Sequence, residues 1–238
     1  MQRMAITFDL EGANALNVDV SMVSLYYRLG VRQMLLAYNL NNRAGGACHD
    51  RDSGLTGFGR EVIAEMNRVG MVVDCSHTGH TTTMQIMEMA SQPVIFSHSN
   101  PWALRAHGRS ITDEQIRACA KTGGVIGVTG LGYFLPRRPS AVEAFADCVD
   151  YVRDLVGVDH VGVGLDWAPP SPRDRAFYAS HRTYWPASEY SAPWSMSSVG
   201  PADVRGLTAT LVGRGWTEKE VRKVLGENFL RVARAVWK

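Results

Sequence analysis

The sequence is poor in cysteine. Cys48, Cys75, Cys119 and Cys148 are its four, and no two of them form a CxxC pair. They are too sparse for a disulfide framework and lack zinc-thiolate spacing, so free thiols in a reducing cytoplasm are expected. No apolar run approaches the roughly 18 to 20 residues of a membrane helix, so no membrane association is expected. The first residues, MQRMAITFDLEG, have neither an apolar core segment nor a small-residue cleavage site, so they do not read as a signal peptide. Runs of Lys/Arg are missing. With 25 basic against 23 acidic residues, net charge +2, nothing points to nucleic acid. No GxGxxG follows the first apolar run and no Walker A sequence occurs, which excludes the usual dinucleotide and nucleotide-triphosphate loops. What remains is an ordinary globular composition, 45% hydrophobic and 20% charged. It suits a single domain over residues 1–238 with ample core.

Short apolar runs alternate with helical patterns. The runs are Ala5–Leu10, Val31–Tyr38, Met71–Cys75, Pro93–Ser97, Gly124–Thr129 and His160–Leu165. Between them, Val20–Leu29, Thr56–Val69, Thr81–Ala90, Thr112–Lys121 and Ser140–Val156 carry helical spacing, with a capping box at Thr112/Gln115. Strands apolar on both faces and separated by helices predict a parallel sheet covered by helices. Six such units fit an open doubly wound sheet or part of a (β/α)8 barrel. The glycines of Gly123–Gly132 read as positions of close packing or backbone approach, not as a phosphate loop. Residues 173–200, rich in Ser, Pro, Tyr and Trp and without periodicity, read as a lid or insert. Residues 201–238 return to helices, one opened by a second capping box at Thr217/Glu220.

Functional side chains favour the barrel. Glu11, His77, His98 and Asp166 each stand just after an apolar run. In a barrel those positions share one rim. Two imidazoles and a carboxylate are a catalytic zinc set with one position open for water. Asp166 could then take or deliver a proton. Each residue also has an ordinary reading. A strand-end His is commonly a hydrogen-bonded loop residue, and Glu11 or Asp166 could serve a helix start. The coincidence of four at four strand ends carries the metal reading, a metal-dependent hydrolase.

The stretches LEGANAL, LGVRQMLLAYNLNN, SGLTGFGREVIAEMNRVGMVVDCSHTG, PVIFSHSNPWAL, GRSITDEQI, HVGVGLDW and LGENFLRV, in this order, resemble the bacterial branch of the membrane (renal) dipeptidase family of zinc peptidases. The resemblance implies a (β/α)8 barrel with a binuclear zinc centre and cleavage of dipeptides by metal-activated water. It assigns Glu11 to the metal-bridging position and His77 and His98 to a metal site. Arg109 takes the substrate carboxylate, and Asp166 shuttles the proton to the leaving amine. An arginine fork suits such a carboxylate. The bland reading of Arg109 is a surface charge.

Two departures bear on activity. The family begins with two further βα units, the first carrying an HxD motif that supplies the other metal ligands, and no HxD occurs here. The expectation is therefore a barrel shortened at its N-terminus to about six units, with one zinc site complete. His80, His49 and Asp9 are the candidates for replacement ligands at the second. Exposed strand edges would then favour a homo-oligomer. Second, the family's substrate-contacting histidine falls at Tyr38, followed by Asn39. A phenol still donates to an oxyanion, so Tyr38 and Asn39 are placed at the substrate. Three readings stand at this point: a dipeptidase-like hydrolase, a relative that keeps the fold without the chemistry and serves as a binding or scaffold protein, and a hydrolase of related amides or lactones. The aromatic segment Tyr184–Trp194 could shape a pocket for the last, or be a packed surface loop.

Overall fold

The computed structural model describes residues 6–169, 171–190 and 198–238, the side chains of 172–175 apart. Six strands, β1 Phe8–Glu11, β2 Val31–Leu35, β3 Val72–Asp74, β4 Ile95–Phe96, β5 Val125–Val128 and β6 Val161–Val163, form one parallel sheet in the order of the sequence. A doubly wound sheet would reverse its strand order at a switch point. Here the order never reverses, so the crossover helices all pack on one face, as in a TIM barrel. The register aligns the strand ends: Glu11 lies level with Leu35, Leu35 with Asp74, Asp74 with Ile95, and Val128 with Val163. Residues that follow the strands therefore meet on one rim.

The helices α1 Met22–Arg28, α2 Gly57–Val69, α3 His80–Met89, α4 Asp113–Lys121 and α5 Ala141–Val156 fill the gaps between strands. Their ends follow their sequence signals. Thr56 caps α2 by accepting from the Gly59 amide, and Gly70 ends it in the left-handed conformation that Gly adopts at no steric cost. The Thr112/Gln115 capping box opens α4. Met34, Ile63, Met66, Ile86, Phe96, Ile116 and Phe145 are fully buried between sheet and helices. Cys48, Cys75, Cys119 and Cys148 are all free.

Within 173–200 the backbone is not wholly irregular: α6, Pro172–Ser180, is helical. Its sequence, PRDRAFYAS, holds no apolar stripe, so periodicity could not reveal it. Residues 191–197, Trp194 among them, lie outside the described residues. Beyond them come α7 Val204–Gly213, α8 Glu218–Arg222 behind its Thr217/Glu220 capping box, and, after one π turn, α9 Asn228–Val236. Phe229, Val232 and Val236 of α9 cover Val72, Ile95 and Val125 as a second small core. The chain end reaches α1, where the Tyr27 hydroxyl donates to the Lys238 carbonyl at 2.8 Å.

Candidate metal centre

Glu11 ends β1, His77 follows β3 and His98 follows β4. Their ligand-type atoms lie within 4.8 Å of one another, the one such group of three among the described residues. His77 Nε2 and His98 Nε2 are 2.9 Å apart, and Glu11 Oε1 stands 3.4 Å from His98 Nε2 and 4.0 Å from His77 Nε2. The rings are buried, while the Glu11 side chain is 39% exposed.

Hydrogen bonds behind the rings decide which nitrogen carries the proton. The Asn39 amide donates from Nδ2 to the Tyr184 carbonyl at 2.8 Å, so its Oδ1 faces His77 Nδ1 at 2.7 Å. That oxygen only accepts, so His77 Nδ1 holds the proton and Nε2 keeps its lone pair. The Ser97 hydroxyl donates to Asp74, so its oxygen accepts from His98 Nδ1 at 2.7 Å. His98 Nε2 is then also a lone pair. Burial, reinforced by the Arg109 charge, holds the pKa of both imidazoles well below the ordinary value, which keeps them neutral. Two lone pairs facing each other at 2.9 Å repel, and a cation between them removes the repulsion. Donors about 2.0–2.1 Å from one tetrahedral ion sit roughly 3.3 Å apart, inside the range of separations found here. The residues fit a metal ion.

Asp74 is the hub beneath this arrangement. Buried at the end of β3, it accepts from the amides of Ser76 and Ser97 as well as from the Ser97 hydroxyl. The Ser76 hydroxyl in turn accepts from the His98 amide at 3.1 Å. One carboxylate thus pins the turns that carry both histidines. Gly127 and Gly164 serve the same place, since a Cβ on either would strike the Ser97 carbonyl. Sequence reasoning missed the roles of Asp74 and Ser97, although both lie in the DCSH and FSHS runs that carry the two histidines.

The surrounding charge is acidic. Partial burial first, then the charges of Asp166 and Asp9, pushes the Glu11 pKa up to about 8. Burial, with Asp9 adding and Arg109 opposing, pushes Asp166 up to about 6. A bound cation would reverse both shifts. A carboxyl with a raised folded pKa stabilises the fold below its unfolded pKa, and that contribution is lost as pH rises through the folded value. The metal-free protein is therefore expected to melt at a lower temperature at pH 9 than at pH 6.5. Glu11→Gln, which stays neutral, is expected to flatten much of that slope. Thermal denaturation after chelation reads both, and an unchanged slope in the variant would refute the assignment of the shift to Glu11.

Arg109 is buried rather than on the surface. It is 3% exposed; Nη2 donates to the His98 carbonyl at 3.1 Å, and Nε has no partner among the described residues. Asp166 follows β6 and adopts a left-handed backbone, φ 52°, as do His77 at 62° and Asn39 at 59°. Such conformations are uncommon away from Gly, and they cluster at functional sites. Tyr38 stacks on His77, ring centroids 4.1 Å apart, and burial keeps its hydroxyl protonated. The Asn39 side chain is fully buried behind His77, committed to His77 and Tyr184. Of the candidate replacement ligands, His80 is exposed and pairs with Glu114 at 3.2 Å. His49 bonds the Tyr190 hydroxyl at 2.8 Å. Neither joins the group of three.

The family model for membrane dipeptidase (peptidase family M19) matches residues 1–174. The chain is 31% identical over 243 residues to Dipeptidase 3 of Mus musculus, covering 99% of this chain and 45% of that protein. It thus spans about half the length of the curated relatives it matches. Its fold superposes on an amidohydrolase from Pseudomonas aeruginosa with a TM-score of 0.87 at 36% identity, covering 98% of this chain and 73% of the other. It also superposes on a structure described as dipeptidase AC, a metallopeptidase, with a TM-score of 0.73 at 26% identity, covering 97% of this chain and 65% of the other. No helix among the described residues is long and apolar enough to cross a membrane. A rim of parallel strand ends, two neutral histidines and a glutamate converging on one point, and the match over most of the chain agree: this chain belongs to the membrane dipeptidase family of peptidases.

Proposed function

We propose that the chain is a zinc-dependent, dipeptidase-like hydrolase of small peptides. The observation that carries this reading is the pair of imidazole lone pairs, each set by a hydrogen bond behind its ring, that face each other beside Glu11. Glu11, His77 and His98 would hold the ion. Zinc there would supply Lewis acidity and lower the pKa of a water molecule toward 7. The remaining roles fall to the chain itself. Arg109 binds the substrate carboxylate, since its guanidinium is desolvated and has an unpartnered donor. Asp166, close enough to Glu11 for their charges to interact, delivers a proton to the leaving amine. The Tyr38 hydroxyl stays protonated and donates to the developing oxyanion.

Zinc per chain by elemental analysis, with hydrolysis of Gly-Leu on the same sample, tests the proposal. Zinc with turnover is the expected result. Zinc without turnover on dipeptides, D-containing dipeptides or lactones would favour the non-catalytic relative, and protein that takes up no zinc would overturn the metal assignment. Two further expectations accompany the proposal. Four free thiols suit a reducing cytoplasm. Phe8, in the strand that ends the sheet among the described residues, and Leu29 are exposed apolar side chains and suit a homo-oligomer; a monomer by light scattering would refute it.

A further inference from the structure

We propose that Asn39 is a positioning residue that couples the segment at residues 181–190 to the metal-binding tautomer of His77. The proposal rests on the metal reading above, but its structural half does not need the metal.

An asparagine amide has two unlike ends, and its partners choose between its two orientations. Asn39 is fully buried, with no solvent to blur that choice. Its Nδ2 donates to the Tyr184 carbonyl, which can only accept. That contact turns Oδ1 toward His77 Nδ1. The Cys48 thiol donates to the same oxygen at 3.5 Å. A flipped amide would set Oδ1 against the Tyr184 carbonyl, acceptor against acceptor. It would also present an N–H to His77 Nδ1, which moves the ring proton to Nε2. A protonated Nε2 cannot ligate. The Tyr184 carbonyl therefore selects the ring tautomer that leaves Nε2 free for an ion.

The segment that supplies this carbonyl is seated at its other end by independent contacts. The Tyr190 hydroxyl meets His49 Nε2 at 2.8 Å, and the Glu189 carboxylate accepts from the Gly108 amide at 3.2 Å and lies 3.4 Å from His107 Nε2. Seating the segment favours the ligating tautomer. By reciprocity, an ion on His77 holds the segment down. No residue of the segment needs to touch the ion.

Two substitutions separate the two ends of the amide. Asn39→Asp still accepts from His77 Nδ1 but cannot donate to Tyr184. Asn39→Leu does neither. Zinc affinity is measured by competition with a chelator, and hydrogen exchange of residues 181–190 is followed by mass spectrometry with and without zinc. Asn39→Leu is expected to bind zinc roughly 10–100-fold more weakly, the usual cost of losing a partner behind a ligating histidine, whereas Asn39→Asp stays within about threefold of the unsubstituted chain. Both variants exchange faster over 181–190 even without zinc. Zinc slows that exchange in the unsubstituted chain and not in Asn39→Asp. Unchanged exchange in Asn39→Asp, or an unchanged zinc affinity in Asn39→Leu, would overturn the coupling. The metal reading fails separately: zinc bound normally by His98→Ala would place the ion elsewhere, whatever Asn39 does.

Discussion

Replacing His98 by Ala is expected to strip the protein of its metal. The loss in zinc affinity exceeds the roughly 10–100-fold that follows removal of a partner behind a ligand, because the substitution deletes a donor atom itself. The reasoning is geometric. Among the described residues one group of three ligand-type side chains converges, and His98 Nε2 is its central atom, 2.9 Å from His77 Nε2 and 3.4 Å from Glu11 Oε1. With His98 gone, two donors remain, 4.0 Å apart. Zinc content after gel filtration reads the result, and dipeptide hydrolysis is expected to fall with it. The metal-free variant is expected to fold, since Asp74, Ser76 and Ser97 keep their bonds to one another. Full zinc content in the variant would refute the assignment.

Arg109→Met is expected to lower kcat/KM for a dipeptide by about 2–4 kcal/mol, or roughly 30- to 1000-fold, the scale on which one member of a desolvated charge pair is lost. Most of the effect belongs in substrates with a free C-terminal carboxylate. A dipeptide amide, which offers no anion to Arg109, is expected to respond far less. Steady-state kinetics on the two substrates distinguishes a carboxylate clamp from a general structural role, and equal losses on both would sink the clamp. The same variant is expected to keep or raise its Tm. It removes a buried guanidinium whose Nε has no partner among the described residues, and it gives up one hydrogen bond, to the His98 carbonyl.

The strand ends were legible because a parallel βα repeat always delivers its strand ends to one rim. Glu11, His77, His98 and Asp166 could be picked out by position before any contact was known. Helix starts were legible where a side chain bonds its own backbone, as at Thr112/Gln115 and Thr217/Glu220. Helix α6 was not, because nothing in PRDRAFYAS repeats with helical spacing. Asp74 was hidden for a different reason. In MVVDCSH it reads as a strand residue, and its work is done across the sheet, on Ser97 just past the end of the next strand. The Asn39 side chain lies behind His77, and its partners His77 and Tyr184 are 38 and 145 residues away, a pairing that no sequence spacing shows.

The sequence by itself determined the six strands, the helices that alternate with them and the set of residues at the strand ends, since these follow from periodicity, caps and local residue chemistry. Only the tertiary structure decided how those residues stand to one another. It chose a sheet without a switch point over a doubly wound one, and it buried Arg109. It also set the proton on each histidine, through Asn39 for His77 and, for His98, through Asp74, which orients the Ser97 hydroxyl. A tautomer depends on which atom lies within 3 Å of a ring nitrogen, and no sequence spacing carries that distance.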